Sequence, residues 1–177
     1  MTIKTGMRWM ALVVFIGTVC LAGAADEKRQ KEAEDTIQLF RKTDGGMTKF
    51  FEGAAGYAVF PGVGKGGIGL GGAYGTGLVF EKGKLIGEAS LTQFTLGLQL
   101  GGQSYAELIF FETVDALDAF KKSKFALSAQ VSAVAAASGA SANAKYELGV
   151  AVFTMAKSGL MYEASVGGQK FKFKPGP

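Results

Sequence analysis

Three sets of residues in this 177-residue chain have the type and spacing to do chemistry: a glycine series at Gly62-x-Gly64-x-x-Gly67, a lysine series near the C-terminal end, and scattered glutamates. The glycines match a dinucleotide fingerprint, which works because backbone approaches a pyrophosphate resting on the N-terminus of the next helix. Here the residues after Gly67 continue as short β-type segments, so the helix that makes the fingerprint work is missing. A phosphate-binding loop fails too, because Gly64-Lys65 is followed by Gly66 instead of Ser or Thr, and Val59 stands where the leading glycine belongs. Glu88, Glu107, Glu112 and Glu163 could include a carboxylate pair for hydrolysis, but their spacing selects no pair.

In Lys170-Phe171-Lys172-Phe173-Lys174, a strand places three cations on one face and two rings on the other. Such a row protects an edge strand from pairing with another chain. It equally attracts anionic lipid headgroups, at ~1 kcal/mol per lysine near a charged surface, and Lys65, Lys121, Lys122 and Lys124 are candidates to join it. Histidine is absent, which excludes His-based triads, the usual zinc sets and a histidine pH switch. The acids nowhere take calcium-loop spacing, so neither a metal nor a cofactor is expected.

Lys4 and Arg8, the apolar run from Trp9 to Leu21, and Ala22-Gly23-Ala24 read as a secretory signal peptide, residues 1–24, cleaved after Ala24. The run falls short of the roughly 20 residues a spanning helix needs. Cys20, the one cysteine, lies inside it behind Val19, where a lipoprotein signal wants a small residue. The mature chain then has no disulfide, a formal charge two below the +4 of the whole, and a periplasmic or secreted location. So small a charge argues against nucleic acid as a partner.

The elements that must position these residues follow from periodicity. Residues 25–53 form an N-terminal helical segment: a helix from Asp26 to about Thr43 with Ala33, Ile37 and Phe40 on one stripe, a break at Asp44-Gly45-Gly46, and a short helix carrying Met47, Phe50 and Phe51. Charges on the long helix cancel, so its polar face reads as solvated above a core stripe. Residues 54–177 are β-rich. Expected strands are 54–61, 67–74, 75–80, 85–93, 94–111 with a bend at Gly101-Gly102, 127–137, 148–155, 160–166 and 169–173. Thr113 caps a helix to Lys124 with Val114, Leu117 and Phe120 on its apolar side. Glycine makes up 27 of 177 residues, about twice the usual share, and Gly67, Gly69 and Gly71 within one strand would leave a bare face open to close approach. The fold class expected is α+β: a curved, mostly antiparallel, glycine-rich sheet, barrel-like, packed with a few α-helices.

Ala55-Gly56-Tyr57-Ala58-Val59-Phe60-Pro61, Gly64-Lys65-Gly66-Gly67 with its following glycines, Gly97-x-Gln99-x-Gly101-Gly102-Gln103 and Glu163-Ala164-Ser165-x-Gly167-Gly168-Gln169 together resemble the SYLF domain family of lipid-binding modules. The resemblance spans nearly all of the mature chain and is nearest to the exported bacterial branch. It implies a non-enzymatic module; eukaryotic relatives bind phosphoinositide membranes and, in fungi, actin filaments. The cationic amphipathic helix of those relatives is replaced here by a charge-balanced one behind a signal peptide. That leaves an anionic lipid or membrane surface, or a protein partner in the cell envelope, with Lys65, Lys121, Lys122, Lys124, Lys170, Lys172 and Lys174 as contacts. Rival readings are a carboxylate-dependent hydrolase, a structural envelope protein without ligand, and a transmembrane β-barrel. Oligomeric state is left open.

Overall fold

The computed structural model describes the backbone of residues 10–68, 70–96, 103–123, 125–127, 131–158 and 166–176, with side chains from residue 24 onward except at 67–68, 70, 95–96, 103 and 158. The helices are α1 (Met10–Thr43), α2 (Thr48–Gly53) and α3 (Val114–Lys121), with short 3-10 turns at Gly45–Met47 and Ala140–Ala142. Strands β1 (Gly56–Ile68), β2 (Leu70–Glu81), β3 (Lys84–Leu96), β4 (Gln103–Phe111), β5 (Ala133–Ala135), β6 (Val150–Ser158) and β7 (Lys170–Pro175) make one sheet in the order β5-β6-β4-β1-β2-β3-β7. Every pair is antiparallel except β5 with β6.

Local chemistry accounts for the joints. Asp44 ends α1 and accepts from the Gly46 N–H at 3.0 Å, starting the first 3-10 turn. Lys82 and Gly83 at φ 49° and 78° make the two-residue turn between β2 and β3, whose twist suits a hairpin. Thr113 accepts from the Ala116 N–H at 3.2 Å and caps α3, as the sequence predicts.

Both faces of the sheet are buried at β4, which is why β4 reads as a near-continuous apolar run instead of alternating. Val59, Leu78, Ala106, Leu108, Phe110 and Phe153 form a core with Ala33, Ile37 and Phe40 of α1 and Phe50 of α2. On the opposite face Phe60, Val63, Leu91, Ile109, Phe111 and Val152 pack with Leu117 and Phe120 of α3. The rings of Phe60 on β1 and Phe171 on β7 lie 5.8 Å apart, although three strand spacings of about 4.8 Å separate those strands. The sheet is therefore strongly curved around the α3-side core.

Curvature stops short of closure, which corrects the barrel-like expectation. Edge strands β5 and β7 are not paired with each other. Their ends are joined by chain instead: an isolated bridge links Ala126 to Lys170, and the Leu127 N–H donates to the Gln169 carbonyl at 3.0 Å.

Further boundaries move. β1 continues past Pro61 to Ile68, and the register pairs Gly67 with Gly71 and Ile68 with Leu70, so the expected strand 67–74 is the meeting of two strands. Gly67 and Gly71 thus stand opposite one another rather than along one strand, and Gly69 lies outside the described residues. Phe94 belongs to the end of β3, not to the strand before α3, and the bend at Gly101-Gly102 lies outside the described residues. Val114 is more than half exposed rather than apolar-facing, because it is the first residue after the cap. Of the described residues in 127–137, Ala133–Ala135 alone are strand, and the expected strand 160–166 is outside the described residues except for Val166, which is not in a strand.

The tight backbone approaches occur at other glycines. A methyl group on Gly77 would stand 2.7 Å from the Phe60 ring, and one on Gly87 2.8 Å from the Phe173 ring. A methyl group on Gly56 would meet Leu117 at 2.9 Å. Carbonyls of neighbouring strands (Val59, Lys174 and Phe80), the sheet's own rings and α3 fill these clearings, so those glycines are architectural.

Candidate functional site

The lysines occupy three places. Lys170, Lys172 and Lys174 are exposed on one face of β7 and stand opposite Thr92, Ser90 and Glu88 of β3. None of the three makes an ion pair among the described residues. They lie on the sheet face that carries α1, here called the outer face, because Glu88 is also opposite Leu78 of the α1-side core. Lys65 points to the other face, opposite Ala73, where burial lowers the pKa of its amine.

Lys121 is half-buried on α3, held by Asp118 at 2.8 Å and Glu81 at 3.4 Å. The hydrogen bond to Asp118 raises the Lys121 pKa, and the same bond lowers that of Asp118. Its charge is committed internally. Lys122 is exposed beside it, and Lys124 lies outside the described residues. The expected seven-lysine site is therefore divided: the β7 row forms one surface, Lys65 belongs to the opposite face, and Lys121 serves an ion-pair network.

Edge protection of β7 does not rest on lysines alone. The Phe173 N–H, on the outer edge, donates to the Ser123 hydroxyl at 2.9 Å, and residues 126–127 engage Lys170 and Gln169. With those backbone groups satisfied by the chain itself, the lysine side chains remain available on the face.

Around the β7 row the outer face extends beyond the residues that α1 covers. Register places Tyr74 opposite Gly64 and Thr92, Thr76 opposite Gly62 and Ser90, and Phe94 opposite Gly72. Tyr74 is 59% exposed and Phe94 87%. Neither ring is among the contacts expected from the sequence, and Phe94 ends up on this face because it continues β3 instead of opening the strand before α3. The signal was present in the alternation Ser90, Thr92, Phe94 against buried Leu91 and Gln93.

Beside α1, a cavity of about 160 Å³ is lined by Arg29, Glu32, Thr76 and Glu88 among others. Its two acids are each engaged by a cation: Arg29 reaches Glu88 at 3.1 Å, and Lys28 reaches Glu32 at 3.8 Å.

The third cluster is internal. Glu107 on β4 is fully buried on the α3-side face, with Oε2 accepting from Gln169 Nε2 at 3.0 Å. The same amide reaches the Tyr105 hydroxyl at 3.3 Å, and Thr154 stands directly opposite on β6. Burial pushes the Glu107 carboxyl up to about 8, and burial with Glu107 nearby also raises the Tyr105 phenol. A carboxyl so placed is a neutral acid at pH 7. Glu88 lies on the other face and Glu112 is exposed, so neither is brought to Glu107, and Glu163 is outside the described residues. Among the described residues, no group of three or more metal-ligating side chains comes together.

Comparison with known proteins adds two matches. A family model described as "Ysc84: Las17-binding protein actin regulator" matches residues 92–175, which run from late β3 through β7 and include Glu107, Lys121 and the β7 lysines. "Beta cell expansion factor A" of Aeromonas veronii is 31% identical over 137 residues, 76% of this chain and 51% of that protein. The chain thus spans about half the length of that curated relative. Residues 92–175 belong to the Ysc84 (SYLF) domain family, and the chain shares distant homology with that Aeromonas protein.

Proposed function

We propose that this is a non-enzymatic module of the bacterial cell envelope that associates with anionic lipid surfaces. The observation that carries it is the row Lys170, Lys172 and Lys174, exposed on one face of β7 and free of ion pairs among the described residues. Each such cation near an anionic surface contributes ~1 kcal/mol, an attraction that falls off within a Debye length. Association of the family with lipid binding in eukaryotes supports the same reading. Export after cleavage at Ala24 is part of the proposal, with residues 25–53 and 54–177 forming one working unit.

Flotation of the full chain with phosphatidylglycerol-containing vesicles tests it. Binding at low salt that weakens steeply as salt rises, with little binding to phosphatidylcholine alone, is the expected outcome. No binding to anionic vesicles at low salt rejects the proposal.

The hydrolase alternative loses its support because Glu88 and Glu107 face opposite sides of the sheet and the cavity acids Glu32 and Glu88 are paired with cations. A transmembrane barrel is disfavoured by an open sheet whose two faces are both packed with the protein's own helices.

A further inference from the structure

We infer that the outer-face patch beyond α1, with Tyr74 and Phe94 at its centre and Lys170 and Lys172 at its rim, is the surface that docks on an anionic bilayer, the two rings entering the headgroup boundary. The inference rests on the lipid-binding reading above and deepens it by naming where contact is made.

Four strands assemble the patch. Gly62 and Gly64 of β1, Tyr74 and Thr76 of β2, Ser90, Thr92 and Phe94 of β3, and Lys170 and Lys172 of β7 share one face by register. Open space surrounds Gly62 and Gly64 where a side chain would begin, so the Tyr74 ring is not walled in on its β1 side. Two large rings standing clear of a glycine floor suit a deformable interface better than a preformed peptide groove.

Charge points to the same occupant. None of the described strand residues of this patch is acidic and its lysines carry no ion pair; α1 brings Glu32, engaged by Lys28, and Asp35 to its border at Gly62, on the side away from the lysines. The nearest acid on β3, Glu88, is held by Arg29 and stands opposite Lys174. Lysines beside exposed rings reproduce the arrangement by which peripheral proteins hold anionic leaflets: cations at the phosphates and aromatic bodies at the acyl boundary.

The test compares the full chain with the Y74S/F94S and K170Q/K172Q variants. Readouts are partition onto 1:1 phosphatidylglycerol–phosphatidylcholine vesicles, insertion into monolayers of the same lipids, gel filtration, and thermal unfolding. Because all four side chains are exposed, each variant should keep the wild-type melting behaviour. Y74S/F94S is expected to lose at least tenfold in partition and to stop raising monolayer pressure while keeping its salt slope. K170Q/K172Q should weaken binding and flatten the salt slope.

Three results would overturn the inference. Wild type and Y74S/F94S binding equally well shows that docking occurs elsewhere, with the lipid-binding reading intact. Absence of wild-type binding to these vesicles sinks both. A self-associating wild type that Y74S/F94S renders monomeric, with vesicle binding unchanged, assigns the patch to a second copy of the chain.

Discussion

Glu107 is the residue at which sequence and surroundings disagree most. As one of several glutamates in β-type segments, it would be expected to face water, yet β4 is covered on both sides and leaves it nowhere polar to point except toward Gln169, Tyr105 and Thr154. Its folded pKa of about 8 stands above the ordinary 4.5. Within that window the unfolded chain holds fewer protons than the folded one, so stability falls as pH rises and levels off once Glu107 ionises in the folded state. Glu107→Gln, which keeps an oxygen for the Gln169 amide, should remove most of that slope and be more stable than wild type above pH 8 by on the order of a few kcal/mol. Urea midpoints of both proteins at pH 5.5 and 9 provide the check, and identical slopes would refute the buried-acid account. Glycines separate in the same way. Gly77→Ala presses a methyl group on the Val59 carbonyl and the Phe60 ring and should cost about 1–3 kcal/mol, whereas Gly64→Ala enters open space and should change stability by less than about 1 kcal/mol. Thermal unfolding of the pair distinguishes an architectural glycine from a permissive one.

Among the elements, α2, α3 and the Asp26–Thr43 part of α1 were legible because each carries a local signal, an apolar stripe, a capping threonine or a breaker at Asp44-Gly45-Gly46, although α1 begins at Met10 rather than Asp26 and α3 ends at Lys121 rather than Lys124. The strands were legible as β but not in their limits, since strand ends depend on partners far away in sequence. Asp44 shows both levels at once. Its carboxylate accepts from Gly46 N–H locally and from Ser141 N–H at 2.7 Å, ninety-seven residues on. The Ser141 bond, foremost, lowers its pKa, so it contributes stability above the ordinary value near 3.8 that is lost as pH falls through the depressed one. Asp44→Ala should cost about 2–3 kcal/mol at pH 7 by leaving both N–H groups without their acceptor, and the loss should shrink in strong acid. Denaturant titration at pH 7 and pH 2.5 tests the magnitude and the sign. The β7 edge teaches a related lesson: Ser123 and residues 126–127 guard it, a role sequence spacing could not assign because they approach from outside the strand.

At the scale of the whole molecule, the helical segment 25–53 packs on the sheet and should unfold together with it. α1, the 3-10 turn after it and α2 bury Phe40, Met47 and Phe50 against Tyr57, Leu108, Phe110 and Phe153, so a chain beginning at residue 54 would expose that face. The intact protein should unfold in a single transition by near-UV and far-UV circular dichroism, and a 54–177 fragment should aggregate. Two resolved transitions, or a soluble folded fragment, would show the helical segment to be an independent unit.

Composition and local pattern were sufficient for the α+β class, the existence of the helices, the exclusion of histidine chemistry, and the family resemblance, because these depend on residue identity and short-range periodicity. Strand order, the open curved sheet, the burial of Glu107, the division of the lysines between two faces, and the exposure of Tyr74 and Phe94 were decided by the tertiary structure. Which face of a strand meets water depends on what packs there, and whether two cations share a surface depends on register between strands; neither is a property of any one segment of chain.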